Sequence, residues 1–340
     1  MNKPTLRFRP DGSFRLLQLT DMHLRCDTGR NATALAMISA LIEREKPDLV
    51  AFTGDITCDG GLVRMLTLTD KINQILESYG IPYTHILGNH ESDGDNARLG
   101  RHLALADAWE SYPLCLFERG AADMGIGNYT VPIYPHTGGD KPAWMLYHVD
   151  CHAGQTYTLS DGLTVREDAM LFPSQLDWLK QTHTALQAQY GSVPSILFDH
   201  VPLPEFDDVW MFDGIYGEHA EKVFHAPVNC GLFSLLYELR DFRGVFVGHD
   251  HRNSYHGTMF GILLAYGRCS GYQPACTPHR QGFGNAFKRG GRIIDLNETT
   301  GQIERTYIAV HDGSKVPEEF TPPIFDRDSF YLPRPDQLTR

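Results

Sequence analysis

The stretch RLLQLTDMHL, residues 15–24, starts as an apolar run and finishes on Asp21 and His23. Side chains of an extended strand alternate between its two faces. The spacing therefore predicts Asp21 and His23 on one face and Met22 on the other. A strand that delivers a carboxylate and an imidazole to one face supplies half of a metal site. Asp-x-His is common by chance, so its meaning depends on what the other strands end on.

Four more apolar runs end the same way. VAFTGD (50–55) ends at Asp55, and THILGNHE (84–91) at Asn89, His90 and Glu91. ILFDH (196–200) ends at His200, and VFVGHDH (245–251) at His249 and His251. By the same alternation, His249 and His251 share a face and Asp250 takes the other. Gly54, Gly88 and Gly248 each precede one of these polar positions, where glycine admits tight backbone conformations as strand turns to loop.

Between the runs lie helix-like segments. NATALAMISALIERE (31–45) reads as a helix with Asn31 as N-cap and Pro47 beyond its end. LVRMLTLTDKINQILESY (62–79) reads as a second helix. The resulting β-α-β-α-β rhythm implies parallel strands with helical crossovers. Further strands are expected at 143–150, 194–200, 244–250, 261–267 and 292–295, and further helices near 174–189 and 232–241. In open α/β sheets, ligands bind outside the carboxyl ends of the strands. One fold rule thus brings all five polar endings to one edge.

Composition narrows the alternatives. The 340 residues fit one large α/β domain or two smaller ones. A formal net charge of −12 disfavours nucleic acid as a partner. It does not exclude a small phosphorylated substrate, because a metal site can reverse the local sign. No apolar run reaches the roughly 18 residues of a membrane span. The start, MNKPTLRFRP, lacks the apolar core of a secretory signal. Seven cysteines, an odd number without a CxxC pair, argue against a disulfide framework. A cytoplasmic protein is expected.

With these residues in place, the chain resembles the calcineurin-like metallophosphoesterases. That family carries Asp-x-His, Gly-Asp, Gly-Asn-His-Asp/Glu, a single His and Gly-His-x-His in this order. Here they stand as DMH, GD, GNHE, the His of FDHVPLP, and GHDH. The resemblance spans about Phe14 to Asp295. HVPLPEF, GVFVGHDH and GILLAYGRCSGY look most like a branch related to purple acid phosphatases. Those enzymes place a Tyr ligand three residues after the Gly-Asp aspartate, where this chain has Cys58, so iron-tyrosinate chemistry is not expected.

The resemblance implies an α/β fold, a four-layer αββα sandwich of two mixed sheets with a dinuclear metal site at the strand C-terminal ends. It implies that Asp21, His23 and His251 hold one metal, that Asn89, His200 and His249 hold the other, and that Asp55 bridges them. The mixed donor set suits Mn, Fe or Zn, as two divalent or mixed-valence ions. Two ions would outweigh two carboxylates and a bridging hydroxide, giving a core positive by about one or two charges that attracts phosphate. The implied reaction is hydrolysis of a small phosphomonoester or phosphodiester, with that hydroxide attacking phosphorus in line. The resemblance makes His90 the group that protonates the leaving oxygen, and Glu91 a carboxylate that orients His90 or a neighbouring ligand.

Weaker candidates for substrate contact are Asn229, Tyr272, His279 and Arg280. Cys151 and His152, in VDCHAG, stand at another strand end and are expected to line the pocket. Residues 1–312 are read as one domain, with 92–142 an insertion or cap beside the site. Residues 313–340 are read as a Pro-rich tail docked through its aromatics. The competing functions are a non-catalytic binding or scaffold protein on the same fold, and a nuclease.

Overall fold

The computed structural model describes residues 3–25, 29–58, 61–92, 98–121, 123–272, 288–316 and 318–325. In chain order the strands are β1 (Leu6–Arg7), β2 (Ser13–Leu19), β3 (Leu49–Thr53), β4 (Tyr83–Ile86), β5 (Tyr129–Tyr134), β6 (Trp144–His148), β7 (Gln155–Thr158) and β8 (Thr164–Glu167). They continue with β9 (Ser195–Phe198), β10 (Ile215–Tyr216), β11 (Phe242–Val247), β12 (His256–Met259), β13 (Ile262–Tyr266), β14 (Gly290–Asn297), β15 (Ile303–Val310) and β16 (Phe320–Thr321). The α-helices are α1 (Gly29–Glu45), α2 (Gly61–Tyr79), α3 (Arg98–Ser111), α4 (Pro173–Tyr190), α5 (Glu205–Phe212) and α6 (Leu232–Leu239).

Two mixed sheets carry the molecule. The smaller has the order β15-β14-β2-β3-β4, and the larger β1-β5-β6-β9-β11-β13-β12-β10-β16. The β2-α1-β3-α2-β4 unit is parallel, as its rhythm predicts. Its central strand Leu49–Thr53 is buried at every residue, the signature of a strand covered on both faces.

The layering follows from which side chains pack together. Ile196, Phe198 and Phe246 of the larger sheet share a core with Leu16, Phe52, and Met37 and Leu41 of α1. Their neighbours in the same strands, Leu197, Val245 and Val247, join a second core with Leu179 of α4 and Leu232 and Leu236 of α6. The period-2 alternation of strands thus feeds two cores. The layers run helices, small sheet, large sheet, helices.

At the strand ends, buried polar bonds tie one sheet to the other. Gln18 of β2 donates from Nε2 to Thr53 Oγ1 at 2.9 Å and to the Val247 carbonyl at 3.0 Å. His200, just past β9, donates from Nδ1 to the Thr53 carbonyl at 2.8 Å. These bonds bring the carboxyl ends of β2, β3, β9 and β11 to one edge.

Three readings need correction. Residues 92–142 are not simply an insertion beside the site. They supply β5, hydrogen-bonded between β1 and β6 within the larger sheet, and α3, which packs on α2. The Gly and Pro content of the region hid a strand whose residues alternate between buried and half-buried. Asn31 lies inside the first turn of α1, which begins at Gly29, and its Nδ2 donates to the Arg25 carbonyl. Extended alternation, finally, does not aim the motif residues: Asp21 and His23 have φ of 54° and 46°.

Near the C-terminus, Phe320–Thr321 pairs antiparallel with β10 and Phe325 packs on Phe212. Phe330 and Tyr331 lie outside the described residues.

Candidate metal centre

Asp21, His23, Asp55 and His249 all have left-handed backbones, with φ of 54°, 46°, 53° and 71°. Such conformations are costly for side chains with a Cβ and persist where the surroundings over-determine them. The surroundings do so here. The His23 N–H donates to the Asp55 carbonyl at 2.9 Å, and the Leu24 N–H to the Ile56 carbonyl at 2.9 Å, so the loops after β2 and β3 run zipped together. The His249 N–H donates to both oxygens of Asp21, at 3.2 and 3.0 Å.

Glycine is required between them for space. A Cβ on Gly88 would stand 2.2 Å from Asp55 Oδ1, and one on Gly248 2.0 Å from Thr20 Oγ1.

Two groups of ligand atoms result. In the first, Asp21, His23, Asp55 and His251 each offer an atom within 4.8 Å of the others. His23 Nε2 and His251 Nε2 approach to 2.8 Å. Two imidazole lone pairs at that distance repel unless a proton or cation stands between them. In the second group, Asp55, His200 and His249 meet the same limit. Asn89 Oδ1 joins them, 3.1 Å from both His200 Nε2 and His249 Nδ1. Because His200 donates from Nδ1 to a carbonyl, its Nε2 is the nitrogen that faces this group.

Asp55 belongs to both groups. Its Oδ1 accepts the His90 N–H at 2.9 Å. Its Oδ2 is buried and makes no hydrogen bond among the described residues, although His200 Nε2 is 3.2 Å and His23 Nε2 3.6 Å away. A buried carboxylate oxygen without a donor is expensive. A cation on either side would satisfy it, so the residues fit two metal ions.

Electrostatics agree. Burial alone would push the Asp21 and Asp55 carboxyls up. For Asp21, hydrogen bonds from His23 and His251, with the charges of His200 and His251, outweigh burial and hold it well below the usual range. For Asp55, His200 and His90 do the same. Burial opposes protonation of His200, but the Asp55 carboxylate beside it prevails and pushes the imidazole up to about 10. The centre holds an excess of negative charge that draws in positive charge.

Glu91 holds the backbone around Asp55, a neighbouring ligand position. Its Oε2 accepts the N–H groups of Gly88 at 2.7 Å and Asp55 at 3.0 Å, and its Oε1 that of Thr57 at 3.0 Å. It clamps the backbone of both turns. Burial, with the Asp55 charge second, pushes its carboxyl up to about 6. His90 stands at the rim, its side chain 26% exposed, with Nε2 4.0 Å from Asp55 Oδ2 and its ring edge-on to His23.

Of the weaker candidates, Asn229 is exposed and committed locally. Its Nδ2 donates to Glu205 Oε1 and its Oδ1 accepts the Gly231 N–H. The Tyr272 hydroxyl is engaged with His311 Nδ1 at 2.6 Å. His279 and Arg280 lie outside the described residues. Cys58 is buried, with Sγ accepting from Arg25 Nε at 3.2 Å, and belongs to neither ligand group.

Sequence reading missed Asp168, whose Oδ2 lies 3.2 Å from His249 Nε2. Such a carboxylate fixes the tautomer that leaves Nδ1 free for a metal. No local signal marks it, because it follows a short hairpin of mostly exposed residues.

An αββα sandwich with two ligand groups joined by one aspartate at its strand ends is the architecture of a metal-dependent phosphoesterase. The chain belongs to the calcineurin-like phosphoesterase family, whose profile matches residues 14–253. It is 30% identical over 330 residues to "Probable inactive purple acid phosphatase 28" of Arabidopsis thaliana, covering 87% of this chain and 78% of that protein. It is 25% identical over 293 residues to "Phosphatase DCR2" of Saccharomyces cerevisiae, covering 76% and 48%. A dimetal phosphatase from Danio rerio shares the fold at a TM-score of 0.56 and 14% identity, covering 91% of this chain and 98% of that one. No helix among the described residues is long and apolar enough to cross a membrane.

Proposed function

We propose that the protein hydrolyses phosphate esters with two bound metal ions, Mn, Fe or Zn, its substrate a small phosphomonoester or phosphodiester. The observation that carries this reading is Asp55, a member of both groups of ligand atoms, whose buried Oδ2 has no geometric hydrogen bond among the described residues. Asp21, His23 and His251 would hold one ion with Asp55, and Asn89, His200 and His249 the other. Bound ions supply Lewis acidity and bring water's pKa toward neutrality.

The chain's own groups supply the rest. Asp168 holds the His249 ring, and the Thr53 carbonyl holds the His200 ring. His90 has its backbone pinned by Asp55 and its ring at the open rim. From there it delivers a proton to the departing oxygen. Glu91 keeps the Gly54–Asp55 and Gly88–Asn89 turns in register.

The test is turnover of the Mn-reconstituted protein on nitrophenyl phosphate and bis-nitrophenyl phosphate, beside a chelator-treated control. Chelator-sensitive hydrolysis of either supports the reading, and the preferred ester assigns monoesterase or diesterase. A second reading, a non-catalytic protein on this fold, draws on the word "inactive" in the name of the Arabidopsis relative. Two bound ions with no turnover of any ester would favour it.

A further inference from the structure

The segment after β6 carries polar groups that the metal centre does not use. β6 lies parallel to β9, with His148 opposite Phe198, and Asp150, Cys151 and His152 follow its end. Beside Asp150 and His152 opens a cavity of ≈ 450 Å³, a volume that suits a small organic molecule. None of the metal ligands, His90 or Asp168 lines it. His152, expected to line the pocket of the metal centre, thus belongs to a site of its own. Asp123 in its lining is exposed, so the cavity reaches solvent there.

Backbone groups fix the hydrogen-bonding sense of the lining. The Phe172 N–H donates to Gln175 Oε1 at 2.8 Å, and Gln175 Nε2 donates to the Asp150 carbonyl at 2.8 Å. With the amide so oriented, Gln175 Oε1 also accepts from His152 Nε2, at 2.7 Å. The proton on Nε2 leaves Nδ1 of the neutral ring with a lone pair. His152 is 6% exposed. Its Nδ1 stands 3.6 Å from Asp150 Oδ2, beyond hydrogen-bond reach.

Asp150 is buried. Its oxygens accept one backbone N–H each, from His152 at 2.9 Å and Ile126 at 2.8 Å, and each keeps a second lone pair. A buried carboxylate is normally paired with a cation. No Lys or Arg lines the cavity, and Arg166, which packs against Gly154, is not among its residues. Asp123 adds a second carboxylate, and Gln155 Oε1, buried without a hydrogen-bond partner among the described residues, adds an acceptor. His102 completes the ionisable lining. A Cβ at Gly125, whose φ is 94°, would stand 2.3 Å from Asp150 Oδ2 and 3.0 Å from His152 Nδ1. Glycine thus lets the 123–126 loop wrap this pair and bring Asp123 to the same cavity.

The rest of the lining includes Ile126, Ala153, Ala169 and Phe172, a surface for carbon. Among the described residues, the groups of three or more His, Cys, Asp or Glu ligand atoms are those of the metal centre. A bare metal ion would lack ligands here.

We propose that this cavity is a separate binding site for a primary ammonium ion carried on a small apolar skeleton. The ammonium group donates to His152 Nδ1 and Asp150 Oδ2, which one nitrogen can reach together at about 2.9 Å. Asp123 attracts it from the solvent side, and the carbon skeleton lies against Ile126, Ala169 and Phe172. The inference does not depend on the phosphoesterase reading.

Calorimetric titration of the full Mn-loaded chain compares phenethylammonium with phenethyl alcohol and phenylacetate, a neutral and an anionic probe of similar skeleton. The ammonium is expected to bind about tenfold or more tighter than the alcohol, and phenylacetate not to bind. His152→Asn suits the left-handed backbone, with φ of 59°. It is expected to weaken the ammonium about tenfold with metal content unchanged. Asp123→Asn, at an exposed position that leaves the core alone, is expected to weaken it about two- to fivefold. Equal affinity for ammonium and alcohol, tighter binding of phenylacetate, or an ammonium affinity unchanged in both variants would overturn the assignment. So would no binding of the ammonium at all, the result if a proton on His152 Nδ1 already neutralises Asp150. Because the readout is binding, neither result bears on hydrolysis.

Discussion

His148 ends β6 within the core, 1% exposed, and neither ring nitrogen makes a hydrogen bond among the described residues. Its ring stacks on Tyr129 at 4.3 Å, with planes 4° apart, and tilts against Phe198. Burial holds the imidazole down to about 3, against a weaker opposing pull from the Tyr129 backbone. An ordinary histidine titrates near 6.5. The unfolded chain thus takes up a proton below about pH 6.5 that the folded chain refuses. The sign follows from linkage: stability from this residue is present above 6.5 and is lost as pH falls toward 3. Between pH 7 and pH 5 the loss is about 2 kcal/mol. His148→Phe keeps a flat ring in the slot and removes the titration. Urea unfolding of the metal-free protein in chelator, at both pH values, measures the difference. The natural protein should lose about 2 kcal/mol more than the variant on going to pH 5. Equal losses would refute the claim that a buried neutral imidazole sits here.

Other perturbations address the centre directly. Asp55→Asn should abolish binding of both ions together with turnover, read by metal analysis after dialysis; loss of one ion alone would contradict the bridging assignment. His90→Ala should retain both ions and slow turnover by roughly 10² to 10⁴, most for esters with poor leaving groups. Glu91→Gln exchanges one acceptor for a donor facing a buried N–H and should destabilise the fold by about 2–4 kcal/mol in urea. Asp168→Asn should weaken one of two metal sites by about 10- to 100-fold, visible as a biphasic titration, and a monophasic one would argue against its contact with His249 mattering.

The five polar strand ends were readable because parallel strands place their carboxyl ends on one edge whatever the side chains do next. A pattern of strand, ligand, helix, strand, ligand carries that geometry in its order alone. The aim of each ligand was not readable. Asp21 and His23 reach the centre through left-handed turns zipped to the Asp55 loop, and hydrogen bonds between distant loops leave no local trace. Glu91 shows the same limit. Its position in GNHE marked it as part of the site, yet its three partners, Gly88, Asp55 and Thr57, are backbone groups that every residue has. Asp168 was invisible because its only link to the centre is spatial. The strand Tyr129–Tyr134 was hidden by its setting, since a Pro at its fourth residue and flanking glycines outweigh a short period-2 signal.

The left-handed ligand positions explain why so much buried polar bonding surrounds them. Each costs about 1–2 kcal/mol relative to ordinary backbone, so Asp21, His23, Asp55 and His249 together store several kcal/mol in loops that are not strands or helices. Gln18 across the two sheets, Thr20 on Asp21 and the Thr53 carbonyl, and Glu91 on three amides all act on these turns. They offset the strain without touching the space between the ligand atoms. What they leave without a hydrogen bond among the described residues is Asp55 Oδ2, which lies beside the facing imidazoles of His23 and His251. The protein thus satisfies the backbone of the centre with its own groups and gathers side chains that fit a cation. That division of labour makes the centre dependent on the packing of two sheets rather than on any one loop.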